Sequence, residues 1–360
     1  MQARQDQSWM EAIQQPPKAL PPEASHPRPV LVDDDGEPIT TAAGWQLRRS
    51  LLRSLWQQFL GSIPGPGGPP VPLVLEEDLD RGVRRQLIRY EAEPGIAVEA
   101  YLLTPRQAAS GLPGVVVLHS TVAYTIRQPA GLEGPEPLHL GWHFASRGYA
   151  AICPRCFLWQ HAPADRIGDA VSWLAERHPG VLGMAKMLFD AMRAVDLLTS
   201  LPQVDPSRIG AVGHSLGAKE VLYLAAFDLR IRAAVFSEGG IDLGASNWDA
   251  PWYLGPAVRH PGFPLDHGQL LALAAPRAFL IIGGDSADGD RSWPSIEAVL
   301  PVWKLLGNDQ AVGLWNHRQG HPFPALARDR SFAWLERFLQ KQGQALPEPP
   351  GAPHPGATGP

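Results

Sequence analysis

Cysteine is nearly absent from this sequence: the 360 residues contain only two, Cys153 and Cys156. Two cysteines are too few for the disulfide framework of a small secreted scaffold. Their C-x-x-C spacing suggests a redox or metal site, but no second pair exists to complete a zinc site. We therefore keep that reading as an alternative only, and we expect no metal and no cofactor.

Long apolar runs and basic clusters are also missing. No stretch of about 18 apolar residues occurs, and the N-terminus lacks the apolar region of a signal peptide. We therefore expect a cytoplasmic protein with no membrane partner. The net charge of −5 and the pI near 6.2 argue against a nucleic-acid partner, which favours clustered Lys and Arg. A small-molecule substrate is expected instead, and the sequence leaves the oligomeric state open.

Proline and glycine are abundant, at 38 and 36 residues, and they divide the chain. Residues 1–38 are polar and proline-rich, which predicts a disordered N-terminal segment. Residues 39–72 predict a helix followed by a Pro- and Gly-rich linker. Residues 73–341 predict the main domain, and residues 342–360 predict a Pro- and Gly-rich tail.

One amphipathic helix is predicted ahead of the linker. Its apolar residues recur every four positions, and Gly61 is a plausible stop. This spacing predicts that the recurring side chains form the face that packs on the main domain. They are Leu47, Leu51, Leu55 and Phe59.

Short apolar runs alternate with amphipathic helices through the main domain. Runs such as residues 115–118 and 278–282 are typical of strands buried on both faces. With 44% hydrophobic residues, the chain can form a substantial core. The alternation predicts an α/β fold with a mostly parallel central sheet and helices on both faces.

The stretch at residues 209–226 organises the domain. It predicts a strand, then Gly213-His214-Ser215-Leu216-Gly217, then a helix. Glycines flank Ser215 because a side chain at either position would collide with the adjoining strand and helix. The pattern favours a nucleophile elbow with Ser215 as the nucleophile and the Leu216 amide as an oxyanion donor.

A serine nucleophile needs a histidine base and a carboxylate that orients it. In this architecture the acid follows a late strand and the base follows the last one. Two histidines, His317 and His321, come after the last predicted strand. The glycine-rich loop after the strand at 278–282 carries three aspartates, Asp285, Asp288 and Asp290.

Five motifs resemble the α/β-hydrolase superfamily, within it the branch of dienelactone hydrolases and acetyl xylan esterases. The resemblance spans about residues 86–340 and is specific for fold and reaction rather than for substrate. The motifs are PGVVVLHST at 113–121, PAGL at 129–132, RIGAVGHSLG at 208–217, LALAAPR at 271–277 and GHPFP at 320–324.

The resemblance implies roles for the remaining site residues. The G-H-x-F-P histidine is the base in such families, which maps to His321, and Asp288 best matches the acid loop. Glu238 resembles the acid position of some glucuronoyl esterases, so we keep it as an alternative acid, a substrate contact or a structural carboxylate. The segment after the strand at 115–118 resembles an oxyanion loop, which implies a second donor at Ser120 or Thr121.

Together these residues predict a serine esterase that cleaves acetyl esters or lactones through an acyl-enzyme with a Ser-His-Asp triad. The alternatives are a peptidase of the prolyl-oligopeptidase type and a non-catalytic binding protein with the same fold. Tryptophans could line the substrate pocket. The candidates are Trp159, Trp248 and Trp252.

Overall fold

The computed structural model describes residues 8–24, 26–107, 110–160 and 166–339. Over these residues, nine strands form one sheet, and nine α-helices accompany it. The strands are β1 (Leu73–Asp80), β2 (Val83–Glu93), β3 (Ile96–Pro105), β4 (Leu112–Leu118), β5 (Ala150–Pro154), β6 (Val204–His214), β7 (Ile231–Ser237), β8 (Ala278–Gly283) and β9 (Val312–Asn316). The helices are α1 (Ser8–Ala12), α2 (Ala42–Leu60), α3 (Leu140–Ser146), α4 (Ile167–Arg177), α5 (Gly183–Ser200), α6 (Leu216–Phe227), α7 (His267–Ala272), α8 (Trp293–Leu305) and α9 (Ala325–Leu339).

The strand order in the sheet is β1-β2-β3-β5-β4-β6-β7-β8-β9. The first three pairings are antiparallel, and all pairings from β5 to β9 are parallel. Every residue of β5 and β8 is buried, as expected for parallel strands that helices cover on both faces. The predicted α/β-hydrolase fold is confirmed.

Parallel pairing brings the carboxyl ends of β6, β7, β8 and β9 to one edge of the sheet. Loops that follow these strands therefore meet in space although they are far apart in the sequence, and such an edge is where ligands bind in α/β sheets. The predicted nucleophile, the candidate acids and the candidate histidines all lie in these loops.

Part of the N-terminal segment, for which the sequence predicts disorder, packs against the sheet at residues 9–14. Trp9 and Ile13 are buried, and the carbonyl of Ile13 accepts a hydrogen bond from the amide of Leu314 in β9, at 2.9 Å. The segment thereby covers the outer edge of a sheet that would otherwise expose unpaired backbone groups. The average composition of this polar segment did not reveal these few buried apolar residues.

Helix α2 is confirmed, but the predicted buried face is wrong. The helix begins after Thr41, whose side chain caps the amide of Gly44, and it ends at Gly61 with φ +76. Its buried apolar residues are Trp45, Leu52, Trp56 and Leu60, whereas Leu47, Leu51 and Leu55 are exposed. The two tryptophans set the packing because each buries more apolar area than a leucine.

No helix among the described residues is both long enough and apolar enough to cross a membrane. The predicted tail at residues 342–360 lies outside the described residues.

Candidate active site

Ser215 lies at a sharp turn between β6 and α6. Its backbone has φ +58 and ψ −117, a conformation that is rare for a residue with a side chain. A Cβ at Gly213 would lie 2.3 Å from Gly217, and a Cβ at Gly217 would lie 2.1 Å from the carbonyl oxygen of Leu118. Only glycine fits at both flanks, so the structure has the geometry that the sequence predicted for an elbow.

His321 lies beside Ser215 in the loop that follows β9. Its Nε2 is 3.1 Å from the Ser215 Oγ, within hydrogen-bond distance. The ring of His214 lies 4.9 Å away, centroid to centroid, and supports one side of the imidazole. The side chain of His321 is 49% exposed, so the reacting end of the site is open to solvent.

The competing histidine, His317, has a different environment. It is buried, its Nδ1 accepts a hydrogen bond from the amide of Gln319 at 3.1 Å, and burial lowers its pKa. The structure therefore brings His321 rather than His317 to Ser215.

The carboxylate at His321 belongs to Glu238, which directly follows β7. Its Oε2 is 3.3 Å from the Nδ1 of His321. The chain turns sharply here, with φ +53 at Glu238, and this turn directs the side chain under the imidazole. The sequence-based preference for Asp288 as the partner of His321 is corrected: that place is taken by the residue kept as the alternative.

The carboxylate of Glu238 is fully enclosed. Both of its oxygens accept hydrogen bonds from backbone amides of the loop after β8, those of Gly284, Ala287 and Asp288. Such donors stabilise a buried charge and fix its orientation. A carboxylate held in this way can keep the His321 imidazole in one orientation.

Asp288 is also fully buried, but it points to a different loop. Its two oxygens accept hydrogen bonds from the amides of Gly240 and Ile241 at 2.6 and 2.8 Å, and from the Ser292 hydroxyl at 2.9 Å. Burial raises the pKa of Asp288 to about 6. These hydrogen bonds direct the Asp288 carboxylate to the turn after β7 and to Ser292, whereas the Nδ1 of His321 is within hydrogen-bond distance of Glu238.

The other two aspartates of that loop lie nearer the surface. Asp285 and Asp290 accept hydrogen bonds from the side chain of Asn316, at 2.6 and 2.9 Å. Asp290 also pairs with Arg318 at 2.7 Å. They tie the loop after β8 to the loop after β9 instead of facing His321.

The segment that the resemblance implies as an oxyanion loop directly follows β4. The amide of Ser120 donates to the side chain of Gln128 at 3.1 Å. The next amide, that of Thr121, is therefore the better candidate for the second oxyanion donor beside the Leu216 amide. Buried His119 sets the loop conformation: its Nδ1 lies 2.7 Å from the Ser120 carbonyl, and its Nε2 accepts from the Cys156 amide at 3.1 Å. Burial lowers the pKa of His119 to about 4, so the ring is neutral at pH 7.

The three pocket tryptophans differ in their positions. Trp248 is fully buried and its indole donates to the Gly240 carbonyl at 2.7 Å, so it supports the loop after Glu238 and lines no open pocket. Trp159 packs edge-on against His119, with ring centroids 5.4 Å apart, and Trp252 packs against Tyr253. Those two remain candidates for substrate contacts.

One charged residue near the site was not identified from the sequence. Lys219 lies one helical turn after Ser215, is buried, and donates to the Gly239 carbonyl and, at 2.7 Å, to the Ser246 hydroxyl. Burial lowers its pKa to about 7. The signal that could have identified it is the pair Lys219-Glu220 within a helix whose other residues are almost all apolar.

Cys153 and Cys156 are free thiols inside the core. Burial raises both pKa values, so neither cysteine has the thiolate character that metal binding or redox chemistry needs.

Known proteins similar to this chain have the same fold. Residues 98–248 match the model of the dienelactone hydrolase family. YtaP of Bacillus subtilis is 26% identical over 256 residues, covering 67% of this chain and 83% of that protein. The 4-O-methyl-glucuronoyl methylesterase of Phanerochaete carnosa is 23% identical over 362 residues, covering 87% of this chain and 80% of that protein.

Among solved structures, a glucuronoyl esterase from Solibacter usitatus superposes with a TM-score of 0.70 at 19% identity, covering 88% of this chain and 98% of that one. At this identity the likeness shows the fold. The chain therefore has the α/β-hydrolase fold, and it is similar to carboxylic ester hydrolases of that fold, among them the dienelactone hydrolase family over residues 98–248 and the glucuronoyl esterases.

Proposed function

We propose that this protein hydrolyses carboxylic esters through an acyl-enzyme, with Ser215 as nucleophile, His321 as base and Glu238 as the orienting acid. The observation that carries the proposal is the continuous chain of hydrogen-bond distances: Ser215 Oγ to His321 Nε2 at 3.1 Å, and His321 Nδ1 to Glu238 Oε2 at 3.3 Å. The strained elbow presents the hydroxyl where an ester can approach it.

In the first half of the reaction, the Ser215 oxygen attacks the ester carbonyl carbon while its proton passes to Nε2 of His321. The amides of Leu216 and Thr121 would stabilise the negative charge that develops on the carbonyl oxygen. Glu238 stabilises the imidazolium through Nδ1. His321 then gives its proton to the departing alcohol, which leaves an acyl group on Ser215.

In the second half, a water molecule takes the place of the alcohol. His321 removes a proton from the water, the hydroxide attacks the acyl carbon, and the carboxylic acid leaves as Ser215 recovers its proton. Every proton in this cycle moves between Ser215, His321, water and the leaving alcohol.

For the substrate, we propose an ester of a sugar acid presented on a larger carbohydrate. The half-exposed His321 indicates a site at the protein surface rather than at the bottom of a deep cavity, which suits an ester on a bulky carrier. Several relatives are glucuronoyl methylesterases by name. The position of Glu238 in this sequence resembles the acid position of some glucuronoyl esterases, which is consistent with the same substrate class. Acetylated sugars and lactones, expected from the sequence, are the competing substrates.

A panel of substrates tests the proposal. It compares kcat/KM for a glucuronate methyl ester, an acetylated xylan, a small lactone and a 4-nitrophenyl acyl ester, with Ser215→Ala as the matched control. We expect the glucuronate ester to be the best of the four and Ser215→Ala to lose about 10⁴-fold or more on every ester. A preference for the acetyl ester or the lactone would overturn the substrate class while leaving the mechanism intact.

The two alternatives from the sequence are tested with the same preparation. A fluorophosphonate probe labels Ser215 only if the hydroxyl is activated, so an unlabelled folded protein would support the non-catalytic binding role. Cleavage of a peptide amide with a kcat/KM similar to that for the best ester would support the peptidase alternative.

A further inference from the structure

The acid turn, residues 238–241 after β7, and the β8 loop, residues 283–289, hold each other through two exchanged carboxylates. Glu238 leaves the acid turn and accepts hydrogen bonds from the amides of Gly284 and Ala287 in the β8 loop. Asp288 leaves the β8 loop and accepts hydrogen bonds from the amides of Gly240 and Ile241 in the acid turn. Each carboxylate therefore fixes the backbone that carries the other.

The acid turn is also held from its other side. The Gly239 carbonyl accepts from Lys219, the Gly240 carbonyl accepts from Trp248 at 2.7 Å, and the Nδ1 of His267 lies 3.0 Å from the Ile241 carbonyl. The Asp288 carboxylate accepts the hydrogen bonds of the Gly240 and Ile241 amides in this turn. Without that carboxylate, these two buried backbone donors would lose their partners, which costs free energy inside a protein.

The β8 loop also contacts the segment that carries His321. The amide of Gly320, one residue before His321, donates to the Gly284 carbonyl at 2.6 Å, and the amide of His317 donates to the Gly283 carbonyl at 2.8 Å. A shift of the β8 loop would therefore move both partners of the Glu238 to His321 hydrogen bond. That hydrogen bond, at 3.3 Å, has little tolerance for displacement.

We propose that Asp288 is a positioning residue for the triad: it holds the acid turn so that the Glu238 carboxylate meets His321. The inference rests on the proposed function, since it assumes that Glu238 orients the catalytic base. Asp288 touches neither the substrate nor the reacting atoms, and its effect passes through Glu238.

A double-mutant cycle separates this role from a merely structural one. The four proteins are the wild type, Asp288→Asn, Glu238→Gln and the double variant, and kcat is measured on one ester. Asp288→Asn keeps the side-chain size but turns one acceptor into a donor facing a backbone N–H. We expect it to lower kcat about 10²-fold in the wild-type background, because small displacements in a catalytic group cost that much. In the Glu238→Gln background we expect a change of about threefold or less, because the acid that Asp288 positions is already gone.

Asp228→Asn is the matched control. Asp228 is buried and pairs with Arg230 at 2.6 Å at the opposite end of β7, far along the strand from Glu238. Its replacement should lower the melting temperature while leaving kcat unchanged. An equal loss of kcat from Asp288→Asn in both backgrounds, or no loss in either, would overturn the positioning role.

A second variant is available if the first does not fold, and one pattern of kcat values would identify Asp288 as the acid. If Asp288→Asn does not fold, Ser292→Ala takes its place, since it removes only the hydroxyl that donates to Asp288 at 2.9 Å. A drop in kcat that disappears in the Glu238→Gln background supports the proposal, and no drop overturns it. If Glu238→Gln is mild while Asp288→Asn abolishes turnover, then Asp288 is itself the acid, and the proposed triad fails together with this inference.

Discussion

Two residues of the site, Ser215 and Glu238, hold backbone conformations that side chains normally avoid. Their φ angles are +58 and +53. Each backbone conformation is stabilised by a hydrogen bond to the neighbouring strand. The Ser215 amide donates to the Ser237 carbonyl at 2.8 Å, and the Glu238 amide donates to the Ile282 carbonyl at 3.0 Å. Strain that the surrounding structure maintains is characteristic of functional sites. Here it directs a hydroxyl and a carboxylate towards the same imidazole.

His119 provides a prediction at the residue scale. Its hydrogen bond to the Ser120 carbonyl orients the peptide group between Ser120 and Thr121, and in a trans peptide the Thr121 N–H points the opposite way. We expect His119→Phe to lower kcat by about 10²-fold, similar to the loss of one oxyanion donor. The measurement is steady-state kinetics on a 4-nitrophenyl ester.

Cys153→Ala is the control for His119→Phe, because Cys153 is a fully buried residue of β5 and its replacement perturbs the core without removing the hydrogen bonds of His119. If His119→Phe left kcat unchanged and raised only KM, His119 would contribute to substrate binding rather than to the oxyanion site.

The choice of acid shows where residue patterns stop being informative. The sequence offered carboxylates after two adjacent strands, Glu238 after β7 and Asp288 after β8, and both were expected to reach His321. Which one does so depends on backbone turns that no pattern encodes: the positive φ at Glu238, and the amides of Gly240 and Ile241 that engage Asp288. The nucleophile was predictable because its glycines are required by steric contact alone.

At the scale of elements, α2 tests which side chains hold a helix on the domain. The buried face carries Trp56, whose ring stacks on His267 with centroids 5.5 Å apart. We expect Trp56→Ala to lower the free energy of unfolding by about 3 to 5 kcal/mol. Leu47→Gln should change it by about 0.5 kcal/mol or less, since Leu47 is exposed.

Urea denaturation of both variants, followed by circular dichroism, decides between the two faces of α2. A larger loss for Leu47→Gln than for Trp56→Ala would restore the face that the leucine spacing predicted.

The order of strands and helices could be derived from the sequence because buried parallel strands are short β-branched runs, as in β4 and β8. Strand β1 could not. Its sequence, LVLEEDLD, is mostly exposed on both faces, and it is a strand only because its backbone pairs with β2. Because β1 depends on backbone hydrogen bonds to β2, its own residues show no hydrophobic pattern that predicts a strand.

At the scale of the whole molecule, buried neutral histidines make stability depend on pH. Burial lowers the pKa of His119 to about 4 and the pKa values of His214 and His267 to about 3. The unfolded chain binds protons at these histidines below about pH 6.5, whereas the folded chain does not. The contribution of these histidines to the free energy of unfolding should therefore fall as the pH drops from about 6.5 towards 4.

Asp288 acts in the opposite direction. Its pKa is raised to about 6 in the folded protein, so it binds a proton more readily there than in the unfolded chain and adds stability as the pH falls below 6. Burial also raises the pKa values of Glu220, Asp190 and Asp266, so these carboxyl groups act in the same direction as Asp288. Each histidine contributes a loss of about 2 kcal/mol between pH 6.5 and 5.

Urea denaturation at pH 7 and pH 5 measures this dependence, and His267→Gln supplies the comparison. The variant should lose less stability than the wild type over that range, because one of the three titrating groups is gone. The same change in stability between pH 7 and pH 5 in His267→Gln and in the wild type would contradict the account of the buried histidines.

The central claim is that Glu238, through His321, activates Ser215, and one measurement tests it most directly. Glu238→Gln keeps the size of the side chain and removes its charge, so the imidazole loses the acceptor that sets its tautomer. We predict that kcat on the best ester falls by about 10³- to 10⁴-fold in the folded variant. The melting temperature should fall as well, because the new side-chain amide nitrogen faces a backbone N–H of the loop after β8. A kcat within about threefold of the wild type would contradict the triad of Ser215, His321 and Glu238.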